Sequence, residues 1–427
     1  MEATRTSNPV GRRTRLRSVA ALLTAGALAV LLAACSSTTA PSGTASSGAA
    51  IAPVNTDSVD QKALAATIKQ AWLADRPVSE LDPVLKNTMA VASTPLTADQ
   101  NKLLATCLQK NTCDTGHGSL TVAFTNDVVN PFRSVMRAEF TAQAIAMPQI
   151  KTIVYNSGAD VAASIANIKS LTAQRVDIIV MASIYGGAVL NAVRDARNQG
   201  IVVIQTDNPL PKGSEGQVDS TVASNLCRLW PEAAKKIVAA VPEKSTYAIY
   251  TGVPGNSNAA NWQPCFEQAM QAAGWTRGVA GFTQWTPQGT AQAANALLAS
   301  GKKPAALAYD YTPEDFIKPY IKDHETPPVV WGDTVNYAWL KTFKDAQEAG
   351  LRPKAFVADS QVWVLRAGLT AGVMKKAGQQ IKNTIDSSGP VVDLSTLVDT
   401  YDPSIPADSP IRSLLTPDEI KLALTVS

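Results

Sequence analysis

The sequence predicts an α/β protein of two doubly wound parallel-sheet lobes with a small helical segment in front of them. Three observations carry this. From Ser119 onward, short β-rich apolar runs alternate with amphipathic stretches about 10–15 residues long, the pattern of βαβ units. The alternation yields more strands than one doubly wound sheet usually takes, and it pauses near residue 221 before resuming. The 427 residues, 45% hydrophobic and 17% charged, are enough for two sizeable cores.

The N-terminus has the parts of an export signal. "GRRTRLR" is basic, Val19 to Leu32 is apolar, and small residues lead to a boundary at Cys35. Residues 1–34 carry five arginines against Glu2, a net +4, so the formal +3 of the whole chain leaves −1 for the remainder. A near-neutral remainder gives no electrostatic reason to expect nucleic acid. The apolar run is shorter than the ~20 residues that a spanning helix needs. Residues 35–56, rich in Ser, Thr, Gly, Ala and Pro, read as a flexible tether.

Residues 57–117 form the helical extension. Ser58 and Gln61 are spaced as a capping box before Leu64, Ile68 and Trp72. Thr97 and Gln100 repeat the spacing before Leu104 and Leu108, with a stop near Asn111. Cys107, Cys113, Cys227 and Cys265 make an even count in an exported chain. Only "LQKNT" separates the first two, so a local clip is easy and the other two are then left to pair; four free thiols is the alternative. Two histidines and no CxxC spacing argue against a zinc site.

The strand–helix rhythm then runs in order. "LTVAFT" is a strand, 133–146 a helix, "KTIVYN" a strand, 160–174 a helix and "VDIIVMA" a strand. Helix 187–199 stops at Gly200, whose place after the last periodic residue suits a C-terminal cap, and strand "IVVIQTD" follows. The second half gives strands 246–252, 278–285, 305–311, "PVVWGD" and "KAFVAD". They alternate with helices 257–273, 288–300, 313–323 and 335–349. We place the N-lobe at 118–221 plus 360–390, the C-lobe at 222–359 plus 391–402, and a tail at 403–427.

In doubly wound folds ligands sit at the carboxyl ends of strands. Those ends read "TNDVVNPF", "QTDNP", "TQWTP", "YDYTP", "WGDT" and "ADSQVW". Most carry an Asp and three carry a Trp. Carboxylates accept hydroxyl hydrogen bonds and an aromatic face covers the C–H side of a sugar ring, so together they suit a neutral polyol.

"LAAC" (Leu32 to Cys35) resembles the lipobox of bacterial lipoproteins. That resemblance implies removal of residues 1–34, a lipid on Cys35, and anchorage to the outer face of the bacterial cytoplasmic membrane. "NPF" at Asn130–Phe132, "GIVVIQTDNP", "GVPGNSNAANWQPCFEQAM" and "VVWGD" occur in the order of the periplasmic sugar-binding proteins of the ribose/galactose type. Residues 119–390 resemble that family, the solute-binding components of ABC importers. It implies the type I periplasmic-binding-protein fold, an interlobe ligand cleft, no cofactor, a monomer, and ABC permease subunits as partners.

Carried over by position, Asn130 and Phe132 belong to the N-lobe wall and Asp207 grips hydroxyls there. Trp285 is the stacking aromatic, Asp310 a polar group beside it, and Asp333 the C-lobe carboxylate. Asp359 or Gln361 falls at the last crossover. Arg133, Asn208 and Trp262 are further ligand candidates. Asn208 stands where the family usually has arginine, Ala260 aligns with a second such arginine, and Arg133 replaces a common aromatic. Fewer arginines leave room for an amine-bearing ligand. Competing local roles are a helix cap for Asp333, interlobe packing for Trp285 and core packing for Phe132; Trp230, Trp262, Trp339 and Trp363 read first as structural.

Rival functions are a glycoside-processing enzyme, a transcription regulator and a receptor- or kinase-linked sensor. No GxSxG, HExxH or Walker sequence supports an enzyme, and an export signal stands where a regulator would carry its helix-turn-helix.

Overall fold

The computed structural model describes residues 58–426 apart from 242 and 359. The expected export signal and tether, with Cys35 and Asp359, therefore lie outside the described residues. The extension holds helices α1 (Gln61–Trp72), α2 (Pro83–Ala92) and α3 (Ala98–Leu108). Thr97 and Gln100 form the expected reciprocal capping box. Ser58 does not cap α1. Asp60 does, accepting from the backbone N–H groups of Lys62 at 2.8 Å and Ala63 at 3.0 Å. Residues 112–114 add a strand to the N-lobe instead of continuing the extension.

The N-lobe comprises β1 (Thr112–Asp114), β2 (Leu120–Asn126), α4 (Pro131–Ala146), β3 (Ile150–Ser157), α5 (Val161–Ala173), β4 (Ile178–Ala182), α6 (Leu190–Asn198), β5 (Val202–Asp207) and β6 (Ser220–Ala223). The C-lobe follows with α7 (Leu226–Ala240), β7 (Thr246–Thr251), α8 (Ser257–Ala272), β8 (Thr276–Phe282), α9 (Pro287–Ala299), β9 (Ala306–Tyr309), α10 (Glu314–Lys322), β10 (Val329–Gly332), α11 (Tyr337–Glu348) and β11 (Ala355–Val357). The chain returns for α12 (Val364–Lys376) and β12 (Thr384–Asp386) in the first sheet, β13 (Val392–Asp393) in the second, and ends with α13 (Pro417–Thr425).

The first sheet runs β1-β3-β2-β4-β5-β6-β12 and the second β13-β11-β10-β9-β7-β8. Within each, the first five parallel strands take the order 2-1-3-4-5, a doubly wound arrangement. One edge strand of each sheet is antiparallel, β1 against β3 and β13 against β11. Continuous apolar strands such as β4, buried at every position, are what a sheet covered on both faces requires.

The four cysteines form Cys107–Cys113, between α3 and β1, and Cys227–Cys265, between α7 and α8. Residues 403–427, expected as a tail, are folded over their described part. α13 opens on a Thr416/Glu419 capping box with Pro417 at its first turn and packs on α4. Among the described residues no helix is long and apolar enough to cross a membrane.

Candidate functional site

The strand ends of the two sheets face each other across a closed cleft. Asn130 caps α4 by accepting from Arg133 N at 2.9 Å, and its Nδ2 donates across the lobes to Trp285 O at 3.3 Å. Ser257 N donates to Ile184 O at 2.8 Å, and Asn261 Nδ2 to Pro209 O at 3.2 Å. These bonds join the lobes around a cavity of about 40 Å³. That is room for a few waters.

Nine of the eleven expected ligand residues line this cavity: Asn130, Phe132, Arg133, Asp207, Asn208, Trp285, Asp310, Asp333 and Gln361. Asp359 is not described. Trp262 is a correction. It is fully buried, stacked on Trp230 with ring centroids 3.7 Å apart, and it does not line the cavity. The α8 positions Ala259, Trp262, Phe266 and Met270 are all buried, a 3–4 spacing that marks a core stripe.

On the N-lobe side, Asp207 sits at the end of β5 with φ of 66°, a left-handed backbone that non-glycine residues rarely adopt. Arg133 Nη1 lies 2.9 Å from its Oδ2, with side-chain exposures of 7% and 11%. Asn208 Nδ2 donates to the same oxygen at 3.1 Å. The guanidinium beside Asp207 thus comes from the first turn of α4, not from position 208.

On the C-lobe side Trp285 closes the cavity. Gln284 and Trp285 have φ of 58° and 50°, a turn that swings the indole back over the end of β7. A Cβ on Gly252 would fall 1.9 Å from the ring, so only glycine admits it. Asp310 fixes the indole and is itself enclosed. Its Oδ1 accepts from Trp285 Nε1 at 2.8 Å, and its Oδ2 from Thr251 Oγ1 at 2.6 Å, Trp262 Nε1 at 2.9 Å and Asn258 Nδ2 at 3.4 Å. Asp310 therefore orients Trp285, and Trp262 supports it from behind.

Burial raises the Asp310 carboxyl from 3.8 to about 6, against donors that favour the charged form. With the folded value above the unfolded one, its contribution to stability is complete below about pH 4 and lost as pH rises through 6. Protonation turns an acceptor into a donor opposite an indole N–H. Tryptophan fluorescence is therefore expected to titrate with a midpoint near pH 6, and Asp310→Asn should remove that step.

Asp333 accepts from Ser360 Oγ at 2.7 Å. It is not a helix cap; Asn336 caps α11, accepting from Trp339 N at 2.9 Å. Gln361 Nε2 and Ser387 Oγ are buried in the cavity wall without hydrogen-bond partners in the protein, as groups awaiting a ligand would be. Sequence reasoning missed Ser387, Asn258 and Tyr311, although the last two lie inside the segments already singled out. No cluster of metal-ligating side chains occurs among the described residues.

Residues 122–321 match the family model of the periplasmic binding protein domain. No curated protein matches the chain. Among solved structures it is similar to a glucose-galactose binding protein from Geobacillus stearothermophilus, at 15% identity and a TM-score of 0.56, covering 65% of this chain and 99% of that one. The periplasmic binding component of an arabinose ABC transporter from Shewanella sp. ANA-3 matches at 14% and 0.58, covering 66% and 94%. An ABC transporter solute binding protein from Bacillus halodurans C-125 with bound myo-inositol matches at 14% and 0.57, covering 66% and 97%. At these identities the likeness is one of fold.

Proposed function

We propose, from the premise that this chain is built around a periplasmic binding protein domain, that it captures a neutral sugar or similar small polyol for an ABC importer. The observation that supports this most is that a carboxylate from each lobe, Asp207 and Asp333, and the Trp285 indole line one and the same cavity between the lobes. Hydroxyls facing both ways would draw the lobes together, and Trp285 would cover the C–H face of a ring. Gln361 Nε2 and Ser387 Oγ add hydrogen-bonding groups at the hinge. The structural neighbours named for glucose-galactose, arabinose and myo-inositol fit this class. We read the cleft as one for binding rather than turnover, because the four donors on Asp310 occupy it in holding the wall.

In this reading the "LAAC" boundary supplies a lipid on Cys35, residues 36–56 tether the receptor above the outer face of the cytoplasmic membrane, and the closed form is handed to permease subunits. A second reading, an amine-bearing ligand, rests on the surplus of cavity carboxylates over guanidinium. The test is a thermal-shift panel on residues 36–427 with neutral hexoses, pentoses, myo-inositol and amino sugars. A ligand at a thousandfold excess over its Kd stabilises the fold by about 4 kcal/mol, an upward shift of several degrees. A neutral member giving the largest shift supports the first reading and an amino sugar the second. No shift from any member would remove the proposal.

A further inference from the structure

Four segments link the lobes: β6 to α7, β11 to α12, β12 to β13, and the run from residue 401 to α13. The last turn of α1 touches three of them. Trp72 is fully buried, and its Nε1 donates to Ser387 O at 2.9 Å. Its ring meets Trp363 edge-on at 4.7 Å between centroids, and Trp363 Nε1 donates back to Ala71 O at 3.0 Å. Gln70 Nε2 donates to Ile411 O at 2.6 Å and reaches Ser413 O at 3.4 Å.

The fourth segment changes lobes within a few residues. On its C-lobe side Ile411 N donates to Val335 O at 3.1 Å, and Arg412 Nη1 donates to Ala358 O. On its N-lobe side Ser413 Oγ and Leu414 N donate to Glu139 Oε1 at 2.8 and 2.7 Å. Gln70 spans the join. Domain opening works through backbone changes in a few crossing residues. A strap bonded to both lobes, and gripped at its bend by a third element, is placed to resist their separation.

We propose that α1 and residues 411–414 form a brace across the hinge that holds the cleft closed and sets how often it opens. Gln70 and Trp72 are its positioning residues, and neither lines the cavity. Trp72 also holds the carbonyl of Ser387, a residue that lines the cavity. The helical extension thereby acquires a role in the timing of ligand exchange.

Closure has its own reporter in the Ser257 amide, bonded to Ile184 O across the lobes. Residue-resolved hydrogen exchange on the whole mature chain, without ligand, is to be compared for wild type, Gln70→Ala and Trp72→Phe. Each variant removes side-chain donors and keeps the backbone. The Ser257 amide should exchange about threefold to tenfold faster in each, the range that one neutral hydrogen bond supports. The Ile179 amide, in the core of β4, should keep its wild-type rate. Unchanged exchange at Ser257 in both variants overturns the brace, and so does an equal acceleration at Ser257 and Ile179, which is plain destabilisation. Neither result bears on whether the cleft binds a polyol.

Discussion

Glu139→Ala should cost the fold about 3–5 kcal/mol, as much as truncating a fully buried tryptophan. Glu139 is fully buried on α4 and pairs with Arg366, 5% exposed, on α12. The carboxylate also accepts from Ser413 and Leu414, so it joins the C-terminal strap to the N-lobe. Removing it strands a guanidinium whose other hydrogen bond, to Gln143 Oε1 at 3.2 Å, cannot neutralise it. A buried pair adds little net stability over an apolar pair of the same shape, yet losing one partner leaves the full desolvation cost of the other. Urea unfolding reads the effect as a fall in midpoint at constant slope. Glu139→Gln, which keeps an acceptor, should fall between alanine and wild type. A loss below about 1 kcal/mol for alanine would place this ion pair with ordinary surface pairs and contradict its burial.

Trp285→Ala should weaken ligand binding about thirtyfold or more, the equivalent of about 2 kcal/mol for a buried aromatic anchor. The substitution removes the wall of the cavity and the Nε1–Asp310 bond together, and it leaves a hole above Gly252. Trp285→Phe keeps a ring without the donor and should recover part of the affinity. If alanine binds the best ligand of the panel as tightly as wild type does, the ring is interlobe packing and nothing more.

What could be read from the sequence follows the range of the interactions involved. Strand and helix identities rest on local periodicity, so the central strands of both sheets were legible, as was the Thr97–Gln100 cap. The short strands β6, β12 and β13 and the helices α7 and α12 were not read. Helix starts were less legible. Asp60 and Asn336 win the caps of α1 and α11 because each directly precedes its first helical residue. Cap spacing alone did not separate Ser58 from Asp60, and Asp333 lies too far upstream to compete. Cavity residues at strand ends were readable because the fold class dictates where strand ends meet. Their division of labour was not. The four donors on Asp310 lie 25 to 59 residues away along the chain, so nothing local marks it as a positioning group instead of a ligand contact. Two signals were present but unused: the 3–4 burial stripe through Trp262, and the Thr416–Pro417–Glu419 helix start in the supposed tail. β1 had no local signature, since its register is set by antiparallel pairing of Thr112 with Val154.

The central claim is that one small polyol is gripped by both lobes at once. Calorimetric titration of the panel's tightest neutral ligand into wild type, Asp207→Asn and Asp333→Asn tests it most directly. The account predicts one site in wild type and at least a tenfold loss of affinity in each variant, with the unfolding midpoint of Asp333→Asn close to wild type and that of Asp207→Asn lowered by the loss of Arg133's partner. Full affinity in either variant would mean that the ligand touches one lobe only, and the two-lobed capture proposed here would be wrong.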